Sequence, residues 1–109
     1  MIVIFPRVIA KSFCAVTIYP FIILKKTGLK FDFVLINHEN IHLKQQKELL
    51  WFFFFIWYGL EYLIRLLYYR SAYRAYKNIS FEREAYANEY DLDYIDSRKP
   101  FSFVRYLFV

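Results

Sequence analysis

The sequence is poor in the residues that cross-link a chain or interrupt its secondary structure. Its 109 residues include one cysteine, two glycines and three prolines. The lone cysteine, Cys14, excludes an intrachain disulfide and a zinc site built from several cysteines of one chain. It lies in an apolar run, so we expect it to be buried. Because there is no Ser/Gly-rich linker, low-complexity tract or internal repeat, residues 1–109 are predicted to form one domain.

Apolar side chains, by contrast, are abundant. Hydrophobic residues make up 59% of the chain, whereas a soluble domain carries about 45–50%. So much apolar surface on a small domain predicts contact with a membrane, a partner subunit or a substrate. The net charge is +5, but Lys and Arg are scattered among apolar residues, which argues against a nucleic-acid partner. An anionic membrane surface fits this pattern, and so does a solvated basic surface.

The N-terminus lacks the features of a secretory signal peptide. Met1 to Phe5 is too short for the apolar region of such a signal, and Pro6 and Arg7 interrupt it. We therefore expect a membrane-associated or cytoplasmic protein.

The N-terminal part of the chain favours β-structure. Residues Phe13 to Leu24, FCAVTIYPFIIL, are rich in β-branched and aromatic side chains and predict a strand. Pro20 cannot donate to a ladder, so an edge position is expected. Lys25 to Gly28 is a turn signal. Leu29 to Leu35 is then either a second strand or the approach to a helix that begins near Asp32.

The middle of the chain favours helices. Phe33 to Leu50 contains no helix breaker after Asn37 and is rich in Leu, Lys, Gln and Glu. Leu49 to Leu60 follows without a charge, and Glu61 and Arg65 then have the spacing of a helical ion pair. Counted through the pair, Leu49 to Tyr69 is long enough to span a bilayer. Without the pair the apolar run is too short, and a buried or interfacial helix is the alternative.

The C-terminal part predicts one more helix. Ser71 to Asn78 is expected to be a polar, tyrosine-rich connection, and Ser80 is expected to cap a helix over Phe81 to Ile95. Pro100 ends that region. The tail, Phe101 to Val109, is a last strand or an amphipathic membrane contact. The predicted fold is α+β: a small N-terminal hairpin or sheet packs on two helices that carry the candidate site, beside an aromatic-rich apolar helix.

Residues His38-Glu39-Asn40-Ile41-His42 form the pattern H-E-x-x-H. Positions i and i+4 share one helical face, so both imidazoles can reach one metal ion, and neutral imidazole suits zinc. The intervening Glu39 can reach a metal-bound water and take its proton as a general base. The chain has two histidines, and both lie in this pattern. Two solvated histidines on a surface helix are the plainer alternative.

A catalytic zinc needs a third protein ligand and an open position for water. Since there is no third histidine, the ligand must be acidic, and Glu82 and Glu84 of the sequence F-E-R-E-A are the candidates. The pairing of H-E-x-x-H with a later E-x-E-A resembles the gluzincin metallopeptidases. It is similar to the integral-membrane CAAX-protease-like and HtpX-like branch, to BlaR-type sensor proteases and, in size, to minigluzincins. The resemblance implies that Glu82 is the third zinc ligand.

The sequence departs from that family at the position directly after E-x-E-A, where Tyr86 replaces an aspartate that supports the metal ligands. Glu89 lies seven residues after Glu82 on the same face and is a candidate substitute. Tyr86 and Tyr90 also share this face, and a tyrosine hydroxyl can stabilise an oxyanion, although packing is the commoner role of a tyrosine. Gln45 and Gln46 follow the second histidine and either hydrogen-bond the site or lie in solvent.

The function predicted from these residues is zinc-dependent hydrolysis of a peptide or protein substrate. An extended substrate is expected to pair with the edge of the strand over Phe13 to Leu24, unless that strand lies inside the sheet. The alternatives are a membrane-associated interaction protein with a structural metal or none, and a latent protease core that needs a partner chain. These alternatives differ in metal content and in the consequence of replacing Glu39.

Overall fold

An α+β fold, as predicted, is present in the computed structural model, which describes residues 2–4 and 14–108. These residues form three strands: β1 (Ile2–Ile4), β2 (Ala15–Ile18) and β3 (Phe21–Leu24). They form five α-helices: α1 (Phe33–Glu48), α2 (Phe52–Tyr69), α3 (Ala72–Lys77), α4 (Ser80–Asn88) and α5 (Tyr94–Ser97). Short 3-10 helices lie at Thr27–Phe31 and Ser102–Tyr106.

The predicted strand over Phe13 to Leu24 is instead a hairpin. A turn at Tyr19 and Pro20 separates β2 from β3, because proline suits a turn and cannot donate to a ladder. The strand order is β1-β3-β2, with β3 parallel to β1 and antiparallel to β2. The expected edge position therefore holds for β2, although Phe13 lies outside the described residues. Cys14 is exposed, and the expectation that it is buried was wrong.

Helix α1 begins where the sequence indicated. The Asp32 side chain accepts a hydrogen bond from the Leu35 amide at 3.1 Å, which caps the first turn. Leu29 to Leu35 thus forms the approach to a helix and not a strand. The helix ends at Glu48, and Leu50 and Trp51 then adopt positive φ angles of 55° and 37°. No glycine or proline marks this reversal in the sequence.

Helix α2 contains the long aromatic run. Its predicted ion pair is present, with Arg65 Nη2 3.4 Å from Glu61 Oε1. Across the described residues, no helix by itself has the length and apolar character needed to cross a bilayer. Helices α1 and α2 meet that requirement only as a pair, and they are bent by 111° at their junction.

The region after α2 differs from prediction in two places. Ser71–Asn78 is mostly helical, because the Ser71 hydroxyl accepts from the Arg74 amide at 3.3 Å and caps α3. Ser80 is the first residue of α4 and not its cap, since its amide and hydroxyl both donate to Glu61, each at 2.7 Å. The buried Glu61 carboxylate on α2 therefore satisfies the N-terminus of α4.

Helix α4 is shorter than the predicted Phe81 to Ile95. Asn37 Nδ2 donates to the carbonyl oxygens of Asn88, Glu89 and Asp91 at 2.8–3.3 Å and so holds the chain where it leaves the helix. The tail forms a 3-10 helix rather than a strand, and Val109 lies outside the described residues. Its Phe103 completes an aromatic and aliphatic core with Phe54, Ile79 and Phe81.

We expect Glu61→Ala to lower the free energy of unfolding by about 3 kcal/mol, because it leaves Arg65 and the first amide of α4 without their buried acceptor. Chemical denaturation followed by circular dichroism measures this. Asp96→Ala removes an exposed carboxylate and should change stability by less than about 0.5 kcal/mol. Equal effects of the two substitutions would contradict the role given to Glu61.

Candidate metal centre

The two histidines of α1 point into one buried space. His38 and His42 are 5% and 6% exposed, so neither is the solvated surface histidine of the plainer alternative. Their Nε2 atoms lie 3.2 Å apart. One turn of helix separates the two residues, and this spacing directs both rings to the same side.

The first turn of α4 brings Glu82 to the same point. Its Oε1 atom lies 3.2 Å from His38 Nε2 and 3.0 Å from His42 Nε2. The side chain is buried, and its second oxygen accepts a hydrogen bond from the Tyr58 hydroxyl at 2.7 Å. Three potential ligand atoms from two helices therefore form a nearly equilateral triangle.

The size of this triangle suits a zinc ion. Ligands that surround an ion tetrahedrally at about 2.0–2.1 Å lie about 3.3–3.4 Å from one another. The three distances between His38 Nε2, His42 Nε2 and Glu82 Oε1 are 3.0–3.2 Å. Small outward movements of the side chains would bring them to coordination distance. Two imidazoles and one carboxylate also form a ligand set that zinc commonly takes in proteins.

The other ring nitrogen of each histidine has its own acceptor. His38 Nδ1 lies 2.7 Å from Glu89 Oε2, and His42 Nδ1 lies 2.8 Å from Gln45 Oε1. Both acceptors favour the tautomer that carries its proton on Nδ1 and leaves the Nε2 lone pair free. The two lone pairs and the Glu82 carboxylate then face one another, and a proton or a metal ion is needed between them.

The orientation of the Gln45 amide is determined by its neighbours. Its Nε2 donates to the Phe81 carbonyl oxygen at 3.1 Å and to Glu84 Oε1 at 2.9 Å. Both are acceptors, so the nitrogen must face them and the amide oxygen must face His42. Gln45 is fully buried. The sequence left open whether Gln45 hydrogen-bonds the site or lies in solvent, and the structure shows that it hydrogen-bonds the site.

Glu84, the rival third ligand, is engaged elsewhere. Its Oε1 also accepts from Arg98 Nη2 at 3.1 Å, and its Oε2 accepts from Arg98 Nε and from the Tyr94 hydroxyl. Arg98 extends further to Glu48 at the end of α1, with Nη1 2.7 Å from Oε2. Glu84 thus belongs to a buried ion-pair network that supports Gln45, whereas Glu82 faces the histidines.

The charges of the cluster influence one another strongly. Burial by itself would lower the pKa of His42, but the Glu82 carboxylate overcomes this effect and raises the pKa to about 9. Burial opposes ionisation of Glu82 too, yet His42 and His38 hold its pKa well below the usual range. Burial and the nearby Glu82 charge raise the pKa of Tyr58, which keeps its hydroxyl a proton donor. The cluster is therefore a strong site for positive charge.

Glu39 borders the triangle from the side of the sheet. Its Oε1 accepts a hydrogen bond from the Thr17 hydroxyl of β2 at 2.8 Å, and its Oε2 lies 4.0 Å from His38 Nε2. His38, Glu39 and His42 each offer an atom within 4.8 Å of the others and could hold a cation as a group. Glu82 Oε1 is nevertheless closer to both imidazoles than the Glu39 carboxylate is, so Glu82 forms the third corner of the triangle.

The sheet is held beside the site by Gln46. Its Nε2 donates to the Thr17 carbonyl oxygen at 2.7 Å, and its Oε1 accepts from the Tyr19 amide at 2.6 Å. The Lys25 amide donates to the Cys14 carbonyl oxygen at 2.9 Å, so these two residues form a hydrogen-bonded pair of the antiparallel ladder. Because such pairs alternate with pairs that are not hydrogen-bonded, the backbone groups of Ala15 and Thr17 point away from β3. On that outer edge, the Thr17 carbonyl oxygen accepts its hydrogen bond from Gln46 and not from another strand.

The remaining residues singled out in the sequence divide into two groups. Glu89 contacts His38, as described above, because Asn37 holds the end of α4 against α1. Tyr86 packs its ring edgewise on His38, with ring centroids 4.5 Å apart, and its hydroxyl lies 2.7 Å from that of Tyr76. Tyr90 is 79% exposed and makes none of the described contacts with the cluster.

Sequence reasoning missed three residues that shape the site. Thr17 and Tyr58 reach it from β2 and α2, and Arg98 supports it from beyond α4. The positions of Thr17 and Tyr58 depend on how the hairpin and α2 fold back onto α1. Arg98 carried no signal either, because the carboxylates of Glu48 and Glu84 reach it only through the fold.

Comparison with known proteins found no relative: no protein-family model, curated protein or solved structure matches the chain. The interpretation of the site rests on its geometry and chemistry.

In protein freed of metal by a chelator, we expect His42 to remain protonated until the pH approaches about 9. Because its folded pKa lies above the unfolded value of about 6.5, its contribution to stability is complete below pH 6.5 and is lost as the pH rises through about 9. Imidazole NMR titration measures the pKa directly. Glu82→Gln should lower the pKa of His42, and a midpoint near 6.5 in the parent protein would contradict the pairing.

Proposed function

We propose that the protein is a zinc-dependent metallopeptidase. The observation that carries the proposal is the convergence of His38 Nε2, His42 Nε2 and Glu82 Oε1 within 3.0–3.2 Å of one another. Each of these side chains has a further partner that leaves the converging atom available. Glu39 lies beside the triangle, where a general base would be needed.

The three ligands have distinct supports in this proposal. Glu89 and Gln45 hold the protons of His38 and His42 on Nδ1, and Tyr58 binds the far oxygen of Glu82. Such partners orient metal ligands and typically change metal affinity by about 10–100-fold. A zinc ion bound here would polarise the scissile carbonyl and lower the pKa of a coordinated water toward about 7.

Glu39 is the residue that moves the proton. The Thr17 hydroxyl holds Oε1, so Oε2 is the oxygen that takes a proton from the attacking water. The same oxygen then delivers that proton to the leaving amine nitrogen. With the side chain 8% exposed, bulk water competes little for this transfer.

The substrate is expected to lie along the edge of β2. A peptide there meets Ala15 and Thr17, whose backbone groups point away from β3, and it runs past the Thr17 side chain that orients Glu39. Pairing ends at Gln46, which already binds the Thr17 carbonyl oxygen and the Tyr19 amide. A structure with a peptide-like inhibitor that reaches the site without touching Ala15 would refute this path.

The rival function is that of an interaction protein in which the same residues hold a structural metal or share a proton. The buried His42–Glu82 pair is compatible with the proton, since two opposite charges 3.0 Å apart stabilise each other without a metal. The metallopeptidase proposal is favoured by Glu39, because its Oε2 lies 4.0 Å from His38 Nε2, beside the triangle, where a general base is needed. Metal content and hydrolysis separate the two functions.

We expect one zinc ion per chain in protein purified without chelators. His42→Ala and Glu82→Gln should each lose most of it, because each removes one corner of the triangle. The control is Asp93→Asn, which changes an exposed carboxylate outside the site and should retain zinc. Glu84→Gln tests the rival ligand. Elemental analysis of folded samples measures the content. Retention by Glu82→Gln together with loss by Glu84→Gln would reverse the ligand assignment.

We expect Glu39→Gln to keep the zinc and to lower peptide hydrolysis by on the order of 10²–10⁴-fold, because an amide cannot take the proton from water. Cleavage of an unstructured protein such as casein, scored by mass spectrometry with and without a chelator, provides the assay. Lys44→Gln, an exposed change on the same helix, should hydrolyse at the parental rate. Equal activity of Glu39→Gln and the parent would exclude Glu39 as the base.

A further inference from the structure

Helix α2 has the opposite polarity from a helix that faces water: its charged side chains are directed inward and its exposed side chains are apolar. Its two charged residues, Glu61 and Arg65, point inward, where Glu61 binds Ser80 and Arg65 Nη2 donates to the Leu107 carbonyl oxygen at 2.7 Å. Its outer face is apolar along the whole length. We define this outer face by Phe53, Ile56, Leu60, Leu63, Ile64 and Leu67, which are 45–79% exposed.

A continuous exposed apolar face of this kind indicates a surface that contacts a partner or a membrane. An 18-residue helix is about 27 Å long, and isolated apolar residues on a surface are ordinary, whereas a continuous stripe marks a contact surface. None of the described elements of the chain covers the outer face, since its residues are exposed. The outer face is therefore available to a partner from outside the described part of the chain.

The charges around α2 favour an anionic lipid surface. Between Glu48 and Glu82 the sequence has one acidic residue, Glu61, and that residue is buried. Exposed cations flank the helix at both ends, Lys44 and Lys47 before it and Arg70 and Arg74 after it. Anionic headgroups attract such cations.

The ends of the helix also suit a membrane interface. Trp51, just before α2, is 50% exposed, and Tyr68, in its last turn, is 78% exposed. Tryptophan and tyrosine concentrate where hydrocarbon meets headgroups, because each has an apolar body and a polar tip. A second copy of this chain fits less well, since it would bring the same flanking cations together without an exposed acid to compensate them.

We propose that the outer face of α2 is a lipid-binding surface on which the protein docks to an anionic membrane. The helix lies in the plane of the interface, with its apolar side chains among the acyl chains and Arg70 and Arg74 among the headgroups. The proposal is independent of the metal centre. The inner face of the same helix contributes Tyr58 to that centre, so the docked surface and the site share one element.

The test is flotation of the detergent-free, full-length protein with phosphatidylcholine vesicles, with and without phosphatidylglycerol. We expect binding that is stronger to the anionic vesicles and weaker at high salt. The triple variant Leu60→Gln, Leu63→Gln, Leu67→Gln should bind at least about tenfold less. Arg70→Gln with Arg74→Gln should weaken the preference for anionic lipid, because it removes two of the four flanking cations.

The matched control replaces three other exposed apolar residues, Phe31→Gln, Phe33→Gln and Leu92→Gln, and should bind lipid like the parent. Circular dichroism verifies that each variant is folded. Absence of flotation by the parent protein overturns the proposal and needs no variant. Equal losses of lipid binding in the triple variant and the control overturn it as well. A parent protein that is dimeric and does not bind vesicles, together with a monomeric triple variant, also overturns it.

Discussion

A buried carboxylate facing two imidazole rings requires positive charge in the space between them, and this requirement organises much of the molecule. Glu82 Oε1 lies within 3.2 Å of both Nε2 atoms, where water has little access. Three elements supply what the cluster needs. Helix α1 contributes the imidazoles, α4 contributes the carboxylate, and α2 contributes the Tyr58 hydroxyl that binds the second oxygen. A proton or a metal ion can meet the remaining need, so the two must compete for the same place.

The parts of the structure that follow from local rules could be predicted. The helix over His38 and His42, its start at Asp32 and the ion pair of Glu61 with Arg65 depend on spacing along one helix. The α+β class also followed, because β-branched residues precede a long stretch of helix formers. The resemblance already implied Glu82 rather than Glu84, but only the fold shows that Glu82 faces the histidines and Glu84 faces Arg98, since both lie on one short helix.

The parts that depend on long-range contacts could not be predicted. The reversal at Leu50 and Trp51 uses positive φ angles at residues that rarely adopt them, so no turn signal was present. Helix α4 ends early because Asn37, far away in sequence, binds the carbonyl oxygens at its end. The sequence predicts one strand in place of the hairpin, because both halves of the hairpin favour β-structure and the turn between them is only two residues long.

The pairing of Gln46 with β2 has a consequence for how the molecule behaves among its own copies. An exposed edge strand is a template on which another chain can add a strand and begin to aggregate. One glutamine on α1 imitates such a neighbouring strand, because its amide both donates to the Thr17 carbonyl oxygen and accepts from the Tyr19 amide. Among the described residues, the edge is thereby closed at its turn end and left open beside Ala15. A strand from another molecule therefore meets only a short ladder, and the pairing that begins aggregation is interrupted at Gln46.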